Sequence, residues 1–341
     1  MSALPAGMPP GVPPIPDPPA IGGLTFRGMV RPADYRPLVD LANLAALADE
    51  LDEHETPEEW ANWFEHDSRR DLDRDFLLAE VGGALIGFTT VSWEPDNEEG
   101  NNYASWGTVH PEWRRRGLGT ALLHWSEARM RQVAAGHPAS VTKRFESWAH
   151  EQEVARIALL EGNGYEVVRH WFQMDRPSLT ELPEPVFPDG VELRPVRPEH
   201  LREIFDVEVA AFRDHFGGID DTPEAFERLR SDPRNDTTLW VVAWHGDRIV
   251  GQSLNRINRA ENEAFGIRRG WVNAVGVVRE WRGRGLGRAL VAESLRVLRD
   301  AGMTTARLGV DAQNPHGALR LYESLGFRVV KQGRNYRKPL A

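Results

Sequence analysis

Cysteine is absent from the 341 residues. That excludes disulfides, thiolate metal sites and a thiol nucleophile together. Lysine is scarce, with only Lys143, Lys331 and Lys338, so arginine carries almost all the positive charge. A GC-rich coding sequence accounts for that bias without selection for arginine chemistry. No apolar run approaches the roughly 18 residues of a membrane span, and no basic segment followed by an apolar one marks a secretory signal. The expectation is a cytoplasmic protein with no membrane partner. A net charge of −10 argues against a basic face for nucleic acid, and no such partner is expected. The scattered histidines show no metal-ligand spacing, so no metal is expected.

What remains is ordinary globular composition, 41% hydrophobic and 27% charged, in a chain long enough for two domains. Residues 1–24 contain eight prolines and read as a mobile tail. Two parallel halves follow, at 25–176 and 190–341, joined by the proline-rich linker 177–189. Each opens with a strand, an Arg-Pro turn and an amphipathic helix. Each then starts a shorter helix at Thr-Pro (Thr56-Pro57 and Thr222-Pro223), an N-cap followed by an N1 proline. Paired strands come next, turning at Gly82-Gly83 and at Gly246-Asp247. Such repetition points to an internal duplication, each half a mixed, mainly antiparallel α/β sheet flanked by helices.

The sharpest repeat is VHPEWRRRGLGTAL at 109–122 against VVREWRGRGLGRAL at 277–290. Glycines there let the backbone approach a ligand and adopt positive φ. The helix that follows offers free amides and a positive dipole end to an anion, and arginines add phosphate donors. Candidate anion-binding residues are Val109, Arg114, Arg115, Arg116, Gly117, Leu118, Gly119 and Thr120 in the first copy. Val277, Arg282, Gly283, Arg284, Gly285, Leu286, Gly287 and Arg288 form the second. Neither copy is a P-loop, because no Gly-Lys-Ser/Thr follows, and neither is a dinucleotide fingerprint.

On these motifs both halves resemble the GNAT acetyltransferases, whose acyl-CoA signature is Gln/Arg-x-x-Gly-x-Gly/Ala between the fourth strand and third helix. A second signature of that family reads Asn314-Pro315-His316-Gly317-Ala318-Leu319-Arg320-Leu321-Tyr322-Glu323-Ser324-Leu325-Gly326-Phe327. The resemblance implies acetyl-CoA as acyl donor, Asn314 near the pantetheine, and Tyr322 as the acid that protonates the leaving thiolate. It also implies a backbone amide of the fourth strand, near Val275 or Val277, that polarises the thioester carbonyl. The tandem layout is similar to the mycothiol synthase type, in which the C-terminal half is catalytic.

The halves diverge after the cradle. Aligning Gly164-Tyr165 with Gly326-Phe327 sets Leu160 opposite Tyr322 and Gln152 opposite Asn314. Leucine donates no proton, so the first half reads either as a degenerate domain or as one that works without tyrosine. Some family members carry a basic glutamate about 11 residues before the first motif arginine; here that position is Trp271. Glu261 and Glu263 lie upstream, in an expected loop, and Glu263 is the candidate base, directly or through water. The alternative is a solvated loop carboxylate.

On the acceptor side, Asp220 and Asp221 either hold a cationic amine or cap the helix at Thr222. The acidic run from Asp49 to Glu59 reads as a solvated face, and His110 as a turn residue. The expected reaction is direct acetyl transfer to a primary amine of a small molecule in the C-terminal half. A protein amine as acceptor and a non-catalytic CoA-binding scaffold are the alternatives. The sequence fixes no oligomeric state.

Overall fold

The computed structural model describes residues 7–97, 100–213, 215–314 and 317–340. Its first half runs β1 (Leu24–Arg27), α1 (Tyr35–Ala48), α2 (Pro57–Glu65), β2 (Phe76–Val81), β3 (Ala84–Asp96), β4 (Gly100–Val109), α3 (Leu118–Ala135), β5 (Thr142–His150), α4 (Val154–Gly162) and β6 (Glu166–Arg176). The second half begins β7 (Val191–Leu193), α5 (Leu201–Phe212), α6 (Pro223–Ser231), β8 (Val241–His245), β9 (Arg248–Ser253) and α7 (Arg259–Phe265). It continues β10 (Arg269–Trp271), β11 (Gly276–Val277), α8 (Leu286–Asp300), β12 (Thr305–Asp311), α9 (Ala318–Ser324) and β13 (Arg328–Pro339). Among the described residues, no helix is long and apolar enough to cross a membrane.

The chain forms two compact units, one from 1–168 with 334–341 and the other from 169–333. The last strand of each repeat is therefore divided. In the second unit, Trp171 to Arg176 of β6 pair antiparallel with Asp311 to Ala306 of β12. Asp175 holds Arg307 at 2.6 Å and Asp311 holds Arg169 at 2.6 Å. In the first unit β13 lies beside β5. Arg337 on β13 reaches Glu146 at 2.7 Å and Asp96 at 2.8 Å. The sequence repeats and the compact units thus part at their final strands: similarity follows duplication, whereas compactness follows pairing.

Period-two alternation sorts each sheet's side chains between two faces. Phe76 and Leu78 of β2 face α1 and α2, packing with Leu38, Trp60, Phe64 and Phe88. Leu77 and Ala79 face α3, packing with Leu118, Leu122 and Trp125. In the second unit Val242 and Trp244 of β8 join Ile204 and Val207 of α5, while Val241 and Ala243 join Leu286 and Leu290 of α8. Both expected Thr-Pro helix starts are present: Thr56 Oγ1 accepts the Glu59 amide and Thr222 Oγ1 the Ala225 amide.

The expectation of a mobile tail over 1–24 is corrected for residues 7–23; residues 1–6 lie outside the described part. Val12 is buried, and Met8, Ile15 and Ile21 pack on the α3-side core. Trp125 Nε1 donates to the Pro13 carbonyl at 3.2 Å. Prolines here lower the entropy lost on ordering, and apolar residues between them supply contacts that a solvated tail lacks. Within the expected linker, Leu179 is buried in the second unit and its amide donates to the Thr304 carbonyl at 3.0 Å.

Candidate active site

The fourth strand of each half decides what its site offers. In the first unit β4 pairs with β3 along its whole length, Gly87↔Val109 through Asp96↔Gly100. It pairs parallel with β5 only from Gly100 to Ala104, so a wedge opens toward the glycine loop. In the second unit the same strand is broken in two. β10 pairs with β12 up to Trp271↔Arg307, and β11 pairs with β9 at Gly276↔Gln252 and Val277↔Gly251. Residues 272–275 between them belong to no strand. Ala274 there has φ of 46°, a left-handed conformation that costs a residue with a Cβ roughly 1–2 kcal/mol. The Val278 amide bonds the Val250 carbonyl. Strand alternation then turns the Val277 amide away from β9.

Both glycine loops take one conformation. Gly117 and Gly285, each at φ 84°, are the N-caps of α3 and α8. Upstream, Gly283 has φ 74° and Arg115 has φ 62°. The amides of Leu118, Gly119 and Thr120, and of Leu286, Gly287 and Arg288, begin helices and lack intrahelical acceptors. Those backbone groups are free to meet an anion. The arginines are placed differently from a phosphate clamp. Arg114 donates to the Val109 carbonyl and forks onto Asp49 at 2.6 and 2.8 Å. Arg282 donates to the Val277 carbonyl at 3.2 Å and to the Ala211 carbonyl at 3.1 Å. Each braces the strand end that leads into its loop. Arg116 and Arg284 lie over the Trp113 and Trp281 rings, while Arg115 and Arg288 are exposed.

Tyr322 on α9 is 9% exposed and meets Phe327 edge to face. Burial pushes its phenol up to about 12. Val275 packs on the apolar cluster that contains Tyr322, so the broken strand and α9 border one core. Asn314 sits in the β12–α9 turn, its amide on the Asp311 carbonyl at 3.1 Å; Pro315 and His316 lie outside the described residues. Glu263 is not brought to this place. It is exposed on α7, a helix where a loop was expected. Glu261 is buried and bonded by Arg269 at 2.9 Å and by Trp271 Nε1 at 3.2 Å.

One acidic run differs from expectation. The run from Asp49 to Glu59 is not merely a solvated face, because Asp49 holds Arg114, Glu53 meets His150 at 3.2 Å, and Glu59 completes the capping box with Thr56. Asp220 accepts the Thr222 amide and hydroxyl and pairs with Arg228 at 3.1 Å. His110 accepts the Glu112 amide within a turn.

Three functional candidates escaped the sequence reading. A cleft of about 480 Å³ lies in the first unit, lined by Gly107, Thr108, Gly117, Gly119, Arg156 and Leu160 among others. Two side chains cross its wedge: Ser147 Oγ donates to the Ser105 carbonyl at 2.9 Å and Arg156 Nη1 to the Gly107 carbonyl at 3.0 Å. In the register that sets Leu160 opposite Tyr322, their counterparts are Gly309 and Ala318. A Cβ built on Gly309 meets nothing within 4 Å. The third candidate is Glu208 on α5, whose carboxyl burial pushes up to about 7 against the opposing pull of Arg228. The alignment already contained the first two differences, but nothing in it says where an arginine side chain turns.

Residues 38–156 and 201–327 each match the family model for the acetyltransferase (GNAT) family. Over 253 residues the chain is 35% identical to a mycothiol acetyltransferase of Thermobispora bispora, covering 74% of this chain and 79% of that one. A solved GCN5-related N-acetyltransferase from Sphaerobacter thermophilus is 26% identical, with a TM-score of 0.69 over 94% of this chain and 96% of that one. A tandem GNAT protein from the clavulanic acid biosynthesis pathway shares the fold at 17% identity and a TM-score of 0.66, covering 93% of this chain and 99% of that one.

Proposed function

This chain belongs to the GNAT acetyltransferase family, an acyltransferase class whose donor is acetyl-CoA, and from that premise we propose that its second unit acetylates a primary amine of a small molecule. The observation that carries this reading is the strand broken at 272–275, beside the Gly285 cradle and packed against the Tyr322 cluster. The α8 amides take the donor's pyrophosphate. The pantetheine arm follows β11, and the amide of Val275 or Val277 polarises the thioester carbonyl.

Collapse of the tetrahedral adduct expels a thiolate. Tyr322, with a pKa of about 12, stays protonated across neutral pH and so always has a hydrogen to give. Without cysteine to carry an acyl group, the amine attacks the thioester directly. Relatives named as mycothiol acetyltransferases favour a small-molecule acceptor over a protein amine.

The first unit keeps the cradle without the chemistry. Leu160 replaces the phenol, and Ser147 and Arg156 occupy carbonyls of β4 that a pantetheine arm needs. Turnover of acetyl-CoA against a panel of small amines tests the assignment. Release of CoA that depends on amine and falls in Tyr322→Phe supports it; CoA binding without release from any amine contradicts it.

A further inference from the structure

We propose that Glu208 takes the proton from the acceptor amine in the second unit, an assignment that rests on the acetyl-transfer reading above. The family's basic glutamate has no equivalent on the fourth strand, where Trp271 stands, and Glu261 beneath it is held by Arg269. A base must come from another element.

Helix α5 lies against the broken strand. Gln252 of β9 donates to the Ile204 carbonyl at 3.0 Å. A Cβ on Gly276 of β11 would stand 2.9 Å from Ala211 Cβ and 3.7 Å from the Phe212 ring. Ile204, Glu208, Ala211 and Phe212 share one stripe of the helix, so Glu208 sits between the two contacts with the sheet. Ala274 packs on the cluster that holds Ile204 and Val207 of α5, and its neighbour Val275 packs on the Tyr322 cluster. Residues 272–275 therefore meet the α5 cluster through Ala274 and the Tyr322 cluster through Val275, which places the base and the acid on the two clusters that border the break.

The Glu208 side chain suits the task. It is half-buried, and among the described residues its carboxylate has neither hydrogen bond nor ion pair. Charged groups around it are few. Arg228 of α6 is engaged by Asp220, Arg282 bonds the Ala211 carbonyl, and Glu203 on α5 itself accepts the Ile249 amide. The stretch 272–278 carries no charge. Burial supports a carboxyl that titrates near neutrality, as a base working at physiological pH requires.

The step balances. An ammonium R–NH3+ gives one proton to the Glu208 carboxylate, and the freed lone pair forms the N–C bond to the thioester carbonyl carbon. The C–S bond then breaks, its electron pair leaves on sulfur, and Tyr322 supplies that sulfur with a proton. The second proton lost by nitrogen restores the phenol, and Glu208 releases its own to water. One proton leaves per amide formed.

The test uses the full chain with acetyl-CoA and an amine that the wild type acetylates. Glu208→Gln is expected to lower kcat/KM at pH 7 by roughly 10²–10⁴-fold and to abolish the rise in rate through about pH 7, with acetyl-CoA affinity unchanged by calorimetry. Carboxyl carbon NMR of wild type against Glu208→Gln is expected to show one resonance titrating near 7. Full activity with the same pH profile in Glu208→Gln, or titration near the ordinary carboxylate value, overturns the assignment. A wild type that acetylates no amine overturns the acetyl-transfer reading instead, while the NMR titration still decides whether Glu208 holds a proton at neutrality. Should Glu208→Gln misfold, Glu208→Asp replaces it, with a loss of rate expected and unchanged kinetics contradicting the role.

Discussion

The guanidinium of Arg156 donates to the Gly107 carbonyl at 3.0 Å, across a wedge that its counterpart Ala318 leaves open in the other half. With Ser147 on the Ser105 carbonyl at 2.9 Å, it satisfies two β4 acceptors beside the cleft. A buried arginine must keep its partners, because loss of one leaves a charge uncompensated; burial already pulls the Arg156 pKa down. One pair of residue differences thus distinguishes the two halves around one loop conformation.

Transplanting that bridge should disable the second unit. Gly309→Ser with Ala318→Arg is expected to lower kcat/KM for acetyl-CoA at least tenfold while the fold persists. Steady-state kinetics with circular dichroism check this. Unchanged kinetics would show that side chains across the wedge do not matter.

Removing the phenol should slow chemistry without weakening binding. Tyr322→Phe keeps the edge-to-face contact with Phe327 and loses only the proton donor. A fall in kcat of roughly 10²-fold or more with acetyl-CoA affinity intact is expected. Equal losses in affinity and rate would instead mark Tyr322 as a packing residue.

Glu208 carries a stability cost whose sign can be stated. Its folded pKa, about 7, is above the unfolded carboxylate value of about 4.3. Below pH 4 the group is neutral in both states and the penalty vanishes; as pH rises through 4 to 7 the unfolded chain ionises first and stability falls. Glu208→Gln removes that penalty and should stabilise the protein at pH 8 by on the order of 3–4 kcal/mol, with little effect near pH 4. Denaturant midpoints at the two pH values check it, and a stabilisation equal at both would point to packing rather than ionisation.

The N-terminal segment should behave as part of the core. Deleting residues 1–20 removes Val12 and Ile15 from the α3 face and the Pro13 acceptor from Trp125. A loss of about 2–5 kcal/mol is expected. A melting temperature that does not change would return the segment to the solvated tail its composition suggested.

Much of the architecture was legible because it rests on local rules. Gly82-Gly83 and Gly246-Asp247 turn their hairpins, and Thr56 and Thr222 cap their helices. Both glycine loops enter α3 and α8 through a left-handed glycine. Long-range choices were not legible. The alternation in β6 and β13 says that each is a strand but not which unit its end completes. Proline in residues 7–23 reads alike for a solvated tail and for an extended segment lying on Trp125. The cradle arginines were named for their charge, their phosphate donors and the motif, whereas side-chain direction makes Arg282 a brace for Val277 and Ala211. Glu208 was passed over because an amphipathic helix hides a carboxylate on its inner stripe as readily as an alanine.

The central claim, that transfer belongs to the second cradle alone, is tested most directly by paired valine substitutions at Gly117 and Gly285. Both glycines have φ of 84°, which a β-branched residue resists, so each change deforms its own loop. Amine-dependent CoA release is the measurement. The structure predicts that Gly285→Val raises KM for acetyl-CoA or abolishes release, while Gly117→Val leaves turnover within about twofold of wild type, below the 1.4 kcal/mol that a tenfold change represents. Loss of turnover in Gly117→Val with Gly285→Val still active would place the chemistry in the first unit and contradict the account.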